Sequence, residues 1–256
     1  MEKLSLKEIL ANKEEVIRLK KSATKFCDVV NFSKAKDSAD KVFSPLVGED
    51  DTDDILYKTI VANTYNWLDS HDDVHIKGIF TKSIKENGDK VLHLHDHIYQ
   101  LSAKVGKVLN VSEVELSLRD LGLNIDGTTT SLVIGSAINK DYNEQIFKMY
   151  KMNEINQHSV GMIYVNIVLC VNDRTQKEEF NNWNKYFPMV INSEKALEQG
   201  YFFAVLEAKL KEVSCVIAGS NELTPTIEPL KNIQEVEPTE VVKAIDYDYL
   251  INNFKL

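Results

Sequence analysis

Apolar residues recur at helical spacing in residues 5–20, SLKEILANKEEVIRLK, where Leu6, Ile9, Leu10, Val16, Ile17 and Leu19 form a stripe. Ser5 precedes the stripe and Glu8 follows three positions on, the spacing at which two side chains cap each other's backbone, so one helix is predicted to start here. From Asp37 to Asp54 the chain turns polar and acidic around Pro45 and ends in GEDDTDD, which reads as a loop or joint. A compact domain is therefore expected from near Ile55.

Beyond that point the period changes. YKTIVANTYNW, KVLHLHDHIY, AKVGKVLNV, TTSLVIGSAI, SVGMIYVNIVLCV, YFFAVLEAKL and EVSCVIAG are rich in β-branched and aromatic residues. They are separated by turn residues such as Asn87-Gly88 and Asp126-Gly127, which favours a mainly antiparallel sheet or barrel. Helical spacing returns in YNEQIFKMYKM (142–152) and in SEKALEQG (193–200), with Ser193 as its cap and Gly200 as its stop. After Gly219 come Pro225, Pro229 and Pro238, then VVKAIDYDYLINNF, a pattern read as an extended linker and a docking tail with a short helix. No internal repeat is visible. The expected organisation is a helical and acidic leader (1–54), a central domain (55–220) and a proline-containing tail (221–256).

Composition narrows the class without naming a function. A chain of 256 residues that is 43% hydrophobic can bury a core without disulfides or metal. A formal charge of -9 argues against a nucleic-acid surface spread over the fold. Cys27, Cys170 and Cys215 form no C-x-x-C pair, so neither a disulfide framework nor a thiolate zinc site is expected, and a reducing cytoplasm fits best. Charges run through the first 25 residues, so no signal peptide is expected, and no membrane span either.

Three of the six histidines fall in HLHDH, residues 93–97. In a strand, alternate side chains share a face about 6.5–7 Å apart, so His93, His95 and His97 are expected in a row on a working surface, with Leu92, Leu94 and Ile98 toward the core. One reading is a metal site, because the string is one residue off the H-x-H-x-D-H of metallo-β-lactamase-like hydrolases, although only His158 remains downstream as a further imidazole. Another is a partly solvated strand with incidental histidines. Ser159 in NQHSVGMIYV stands two residues before Gly161, where a missing side chain lets backbone or substrate approach. Glu212 interrupts the apolar run of LKEVSCVIAGSNELTPT and shares its parity with Ser214 and Val216. A carboxylate there can orient a histidine that accepts a serine proton, or serve only as a strand-edge charge.

Taken in order, WLDSHDDVHIKGIFTKSIKEN, VLHLHDHIY, HSVGM and EVSCVIAGSNELTPT resemble the prohead protease family of tailed bacteriophages over roughly residues 60–226. Asp69, Gly78 and Phe80 fall on the first motif, Ser159, Val160, Gly161 and Met162 on the second, and Glu212, Val213, Ser214 and Val216 on the third. The chain departs from the family at Lys104-Val105-Gly106 and at Ala218-Gly219-Ser220, and residues 170–200, with Trp183 and Pro188, look inserted.

The resemblance implies an α+β, mainly β fold, a closed or partly open antiparallel barrel surrounded by helices, as in the herpesvirus assemblins. It implies a serine endopeptidase with Ser159 as nucleophile, a histidine of HLHDH as general base, and Glu212 as third member. His97 is preferred as base, with His95 in reserve, and His158, His71 and His75 are alternatives for the third place. Scaffold and major capsid proteins are the implied substrates, inside a procapsid assembling in the host cytoplasm, with no cofactor, metal, nucleic acid or membrane involved; self-association is left open. The N-terminal helix or the tail is the expected means of binding scaffold, and the tail is an expected site of self-cleavage. The rival readings are a catalytically silent structural relative and a metal-dependent hydrolase.

Overall fold

A computed structural model describes residues 4–22 and 50–227. The leader stripe forms two helices, α1 (Leu6–Ala11) and α2 (Lys13–Ser22), where the sequence predicts one. Ser5 and Glu8 make the expected capping box. The break falls at Asn12, whose amide side chain donates to Glu8 O at 3.1 Å, competing with the helical ladder for its own preceding turn. Ile9 is buried in the main core, with Leu6, Leu10, Val16 and Ile17 against it, so the apolar stripe of the leader is covered by this chain.

The rest is a mixed α/β fold, mostly strands, in one eight-stranded sheet. In chain order the elements are β1 (Ile55–Thr64), β2 (Asp73–His75), α3 (Thr81–Asn87), β3 (Leu92–His95), β4 (Lys104–Ser117), β5 (Thr128–Asn139) and α4 (Glu144–Lys151). They continue with β6 (His158–Val171), α5 (Lys177–Tyr186), α6 (Ser193–Gln199), β7 (Tyr201–Cys215) and β8 (Thr226–Ile227). The strand order is β2-β7-β3-β4-β5-β1-β8, with β6 on β7. β7 is the spine: β6 runs antiparallel along its whole length, while β2 and β3 pair parallel with residues 203–205 and 212–215. The other strand pairings among the described residues are antiparallel, so the sheet is mainly antiparallel as expected, with these two as parallel exceptions. Among the described residues the ladder does not close into a ring.

Two of the predicted β-runs, YFFAVLEAKL and EVSCVIAG, are one continuous strand, β7, which runs through a register shift at Lys211, between Leu210 and Glu212, without leaving β6. Asp126-Gly127 closes the β4–β5 hairpin as predicted, with Gly127 at φ 131. Asn87-Gly88 instead ends α3. α6 stops at Gly200, whose φ of 76 only glycine adopts freely, but Ser193 is already inside the helix. Asn192 precedes it and clamps the Leu68 backbone at 2.8 and 2.9 Å.

The main core takes Ile60 from β1, Ile134 from β5, Val160 and Tyr164 from β6, and Phe203 and Val213 from β7, so the sheet curls until distant strands share one interior. Residues 170–200 pack against this sheet: Trp183 stacks on Phe187 and meets Phe202 of β7 over a second core. The chain after β7 stays on the fold through Ile227, with β8 paired to β1. The acidic stretch before residue 50 and the terminal helix expected after residue 227 lie outside the described residues.

Candidate active site

β3 ends at His95, and this decides where the histidines go. Asp96 and His97 take φ of 51 and 56, and the His95 carbonyl accepts from Ile98 N–H at 3.1 Å, a turn with both central residues left-handed. The expected row of imidazoles is therefore absent. His93 and His95 register with Val213 and Cys215, while Leu92 and Leu94 register with Glu212 and Ser214. The turn then carries His97 across to the leucine side, and Leu92 and Ile98, expected in the core, are 42% and 37% exposed.

The three rings accordingly find three sets of partners. His93 is buried against Ser136 at 2.8 Å and Tyr150 at 3.3 Å. Among the described residues, the His95 ring meets its neighbour Asp96 at 3.0 Å, near the surface. His97 Nδ1 lies 2.6 Å from Glu212 Oε1, and Glu212 is fully buried. Because a carboxylate only accepts, Nδ1 carries the proton in this network, and Nε2 is the nitrogen able to take one.

Glu212 is placed by the β6–β7 register. Gly161 pairs with Glu212 and Ser159 with Ser214, and residues paired across antiparallel strands share a face. A Cβ on Gly161 would meet Glu212 Cδ at 2.8 Å and Cγ at 2.9 Å, and Oε1 closer still. The sequence reading assigned that gap to backbone or substrate; the Glu212 side chain occupies it. Ser214 Oγ, also fully buried, donates to Glu212 Oε2 at 2.6 Å and accepts from the His97 backbone N–H at 3.1 Å. Glu212 is thus bonded on both oxygens, which offsets its removal from water.

Ser159 stands one rung from Glu212 on the same face, opposite Ser214. Among the described residues the hydrogen-bonded unit is His97–Glu212–Ser214, and no hydrogen bond joins the Ser159 hydroxyl to the ring. The backbone around Ser159 is also orientated. His158 N–H reaches Thr224 Oγ1 at 3.4 Å and its carbonyl accepts from the same hydroxyl at 2.7 Å, so both face away from β7. The strand repeat turns Val160 N–H the same way and directs Ser159 and Gly161 N–H at β7. Of the backbone donors at 160 and 161, the Val160 N–H is the one that points off the ladder.

The alternatives for the third place lie elsewhere. His158 sits on the inner face, bonded to Tyr150 at 2.9 Å and Thr224 O at 3.1 Å, and burial holds its pKa down to about 4. Burial, and then the neighbouring His158, hold His93 down to about 3. His75 bonds Asn63 at 3.0 Å and Tyr164 at 2.9 Å, and with His71, Ser159 and Asp69 it borders a cavity of about 10 Å³. The first motif turns out to organise the backbone: Asp69 accepts from His71 and Asp73 N–H at 2.8 and 2.9 Å, Gly78 takes φ 90, and Phe80 fills the core. Burial, with Asp73 beside it, raises the Asp69 carboxyl well above the usual range.

Cys215 is buried, and burial pushes its thiol up to about 12, away from the thiolate form in which a cysteine is reactive. Tyr150, which binds both inner histidines, carried no signal in the sequence beyond its place on a helical stripe. Among the described residues, no group of three or more His, Cys, Asp or Glu is placed to hold a metal ion, and no helix is long and apolar enough to cross a membrane. No family model, curated protein or solved structure matches this chain.

Proposed function

We propose that the chain is a serine endopeptidase in which Ser159 attacks the peptide carbonyl, His97 Nε2 takes its proton, and Glu212 holds the His97 ring in the required tautomer. The observation that carries this is the buried 2.6 Å His97–Glu212 pair on the sheet face that bears Ser159. Such hydrogen bonds commonly tighten only when substrate binds, and the Ser159–His97 approach is the one that must close. Val160 N–H faces the open side of β6 and is the backbone donor for the oxyanion. Collapse of the tetrahedral adduct expels the amine, which takes its proton from His97, and water then releases the acyl group by the same route.

The finer fold reading is an open barrel of the assemblin kind, supported by the shared interior of β1 and β6. The resemblance of the ordered motifs supports action on scaffold and capsid proteins within a procapsid. The test is labelling of the full chain with a fluorophosphonate, followed by mapping of the adduct. Modification of Ser159, lost in Ser159→Ala while folding is retained, is the expected result. A folded wild-type chain that neither labels nor cleaves itself or scaffold protein favours the structural rival, and proteolysis abolished by chelator favours the metal hydrolase.

A further inference from the structure

We infer that Ser214 is a positioning residue whose hydroxyl locks the His97 turn and the Glu212 carboxylate into one geometry. This rests on the reading of Ser159 and His97 as nucleophile and base. A serine hydroxyl has one proton to give and two lone pairs. Ser214 gives the proton to Glu212 Oε2 at 2.6 Å and accepts the backbone N–H of His97 at 3.1 Å. It does so at full burial, where no water can replace either bond.

Each bond constrains a different freedom of the ring. His97 is a left-handed residue, a conformation that costs energy for any side chain but glycine and persists where surroundings over-determine it. The Ser214 acceptor satisfies that N–H only while the turn is kept. Glu212 has two oxygens, and without a donor on Oε2 its carboxylate can rotate and present either edge to His97 at varied angle. Ser214 also faces Ser159 across the ladder and Leu94 on the other side, so its main chain is pinned by strands on both edges. The hydroxyl is therefore held on a rigid element, and it transmits that rigidity to a base sitting on a turn.

The experiment compares the wild-type full chain with Ser214→Ala, Ser214→Thr and Ser159→Ala. Three quantities are read: the rate of fluorophosphonate labelling at Ser159, the urea midpoint, and the low-field proton resonance of the His97 Nδ1–H. Ser214→Ala is expected to label about tenfold more slowly or worse, the rate equivalent of one charge-assisted hydrogen bond, and to lose or shift the low-field resonance while still unfolding cooperatively. Ser214→Thr, which keeps the hydroxyl, recovers rate and resonance; if its methyl group unfolds the chain, Ser214→Cys, a weaker donor of similar size, is expected between wild type and alanine. A Ser214→Ala chain with wild-type rate and an unmoved resonance overturns the inference. A wild-type chain unlabelled at Ser159 overturns instead the reading of the site, while the resonance comparison still decides whether Ser214 holds His97.

Discussion

Gly161→Ala tests the site through a single methyl group, and the sign of its effect is informative. In an ordinary strand, alanine in place of glycine raises stability by roughly 0.5–1 kcal/mol, because the unfolded chain loses freedom. Gly161 has no strained φ to forbid the change, so the backbone alone predicts a gain. The side-chain geometry predicts the reverse. The new Cβ would stand 2.8 Å from Glu212 Cδ and 2.9 Å from Cγ, well inside ordinary van der Waals contact, and nearer still to Oε1. Glu212 must swing away, and both bonds it accepts, from His97 Nδ1 and from Ser214 Oγ at 2.6 Å each, are lost or bent.

A hydrogen bond to a charged group contributes about 1.5–3 kcal/mol, and a buried carboxylate left short of donors costs more. A net loss of about 3 kcal/mol is expected once partial repacking is allowed for. Urea unfolding measures it, and a double-mutant cycle isolates it. With Glu212→Ala in place the obstructing atoms are gone, so adding Gly161→Ala should be neutral or slightly stabilising. Equal losses in both backgrounds, or a gain in the wild-type background, would refute the claim that the glycine exists to seat the carboxylate. On the proposed mechanism the single variant also loses fluorophosphonate labelling at Ser159.

Two further outcomes follow from groups outside the pair. Lys20 of α2 donates to Asp73 Oδ1 at 2.5 Å, where Asp73 is wholly buried and also accepts from Tyr164 OH at 2.8 Å; Lys20→Met leaves that carboxylate without its cation and should cost about 3–5 kcal/mol in urea unfolding, most of it recovered by adding Asp73→Asn, and a cost under about 1 kcal/mol would show that the leader helices contribute little to the fold. His158, held down to about 4 in the folded chain, stays neutral while the unfolded chain takes up its proton near pH 6.5, so its contribution is complete above that pH and is lost as pH falls toward 4, at about 1.36 kcal/mol per pH unit; His158→Gln should flatten the fall of unfolding free energy between pH 6.5 and 4.5 by that amount, and parallel curves would refute it.

How far the sequence was legible depends on whether the relevant interaction is local. The β-runs, the Asp126-Gly127 hairpin, the capping box at Ser5 and the stop at Gly200 are governed by neighbours, and each is present. The grouping of Glu212 with Ser214 on one face was also readable, since strand parity needs only the spacing. The histidines were misread because parity was extended past the end of the strand. Nothing in HLHDH marks His95 as the last ladder residue, although Asp and His tolerate left-handed φ better than most and Asp96-His97 was a place to suspect a turn. The inner pairing of His93 and His158 through Tyr150 joins residues up to 65 positions apart, and only tertiary structure could reveal it.

β7 explains why one sheet can hold two buried polar clusters without mixing them. Its alternate residues send Glu212 and Ser214 to one side and Val213 and Cys215 to the other, so the Ser214–Glu212–His97 unit and the His93–Tyr150–His158 unit occupy opposite faces of the same few rungs. The inner histidines are held neutral by burial and fully bonded, and His158 Nδ1 and N–H both bind Thr224, which ties the start of β6 to the chain after β7. The rung that carries Ser159 is therefore fixed from its hidden side by groups that do not ionise near neutral pH. On the other side, the ring proposed to take the serine proton sits on a turn and is held by the side chains of Glu212 and Ser214. Substitutions on the inner face should act on stability across the whole ladder, whereas substitutions at Gly161, Glu212 and Ser214 should act first on the orientation of His97. A variant such as His93→Gln that slowed labelling at Ser159 without lowering the urea midpoint would break that separation.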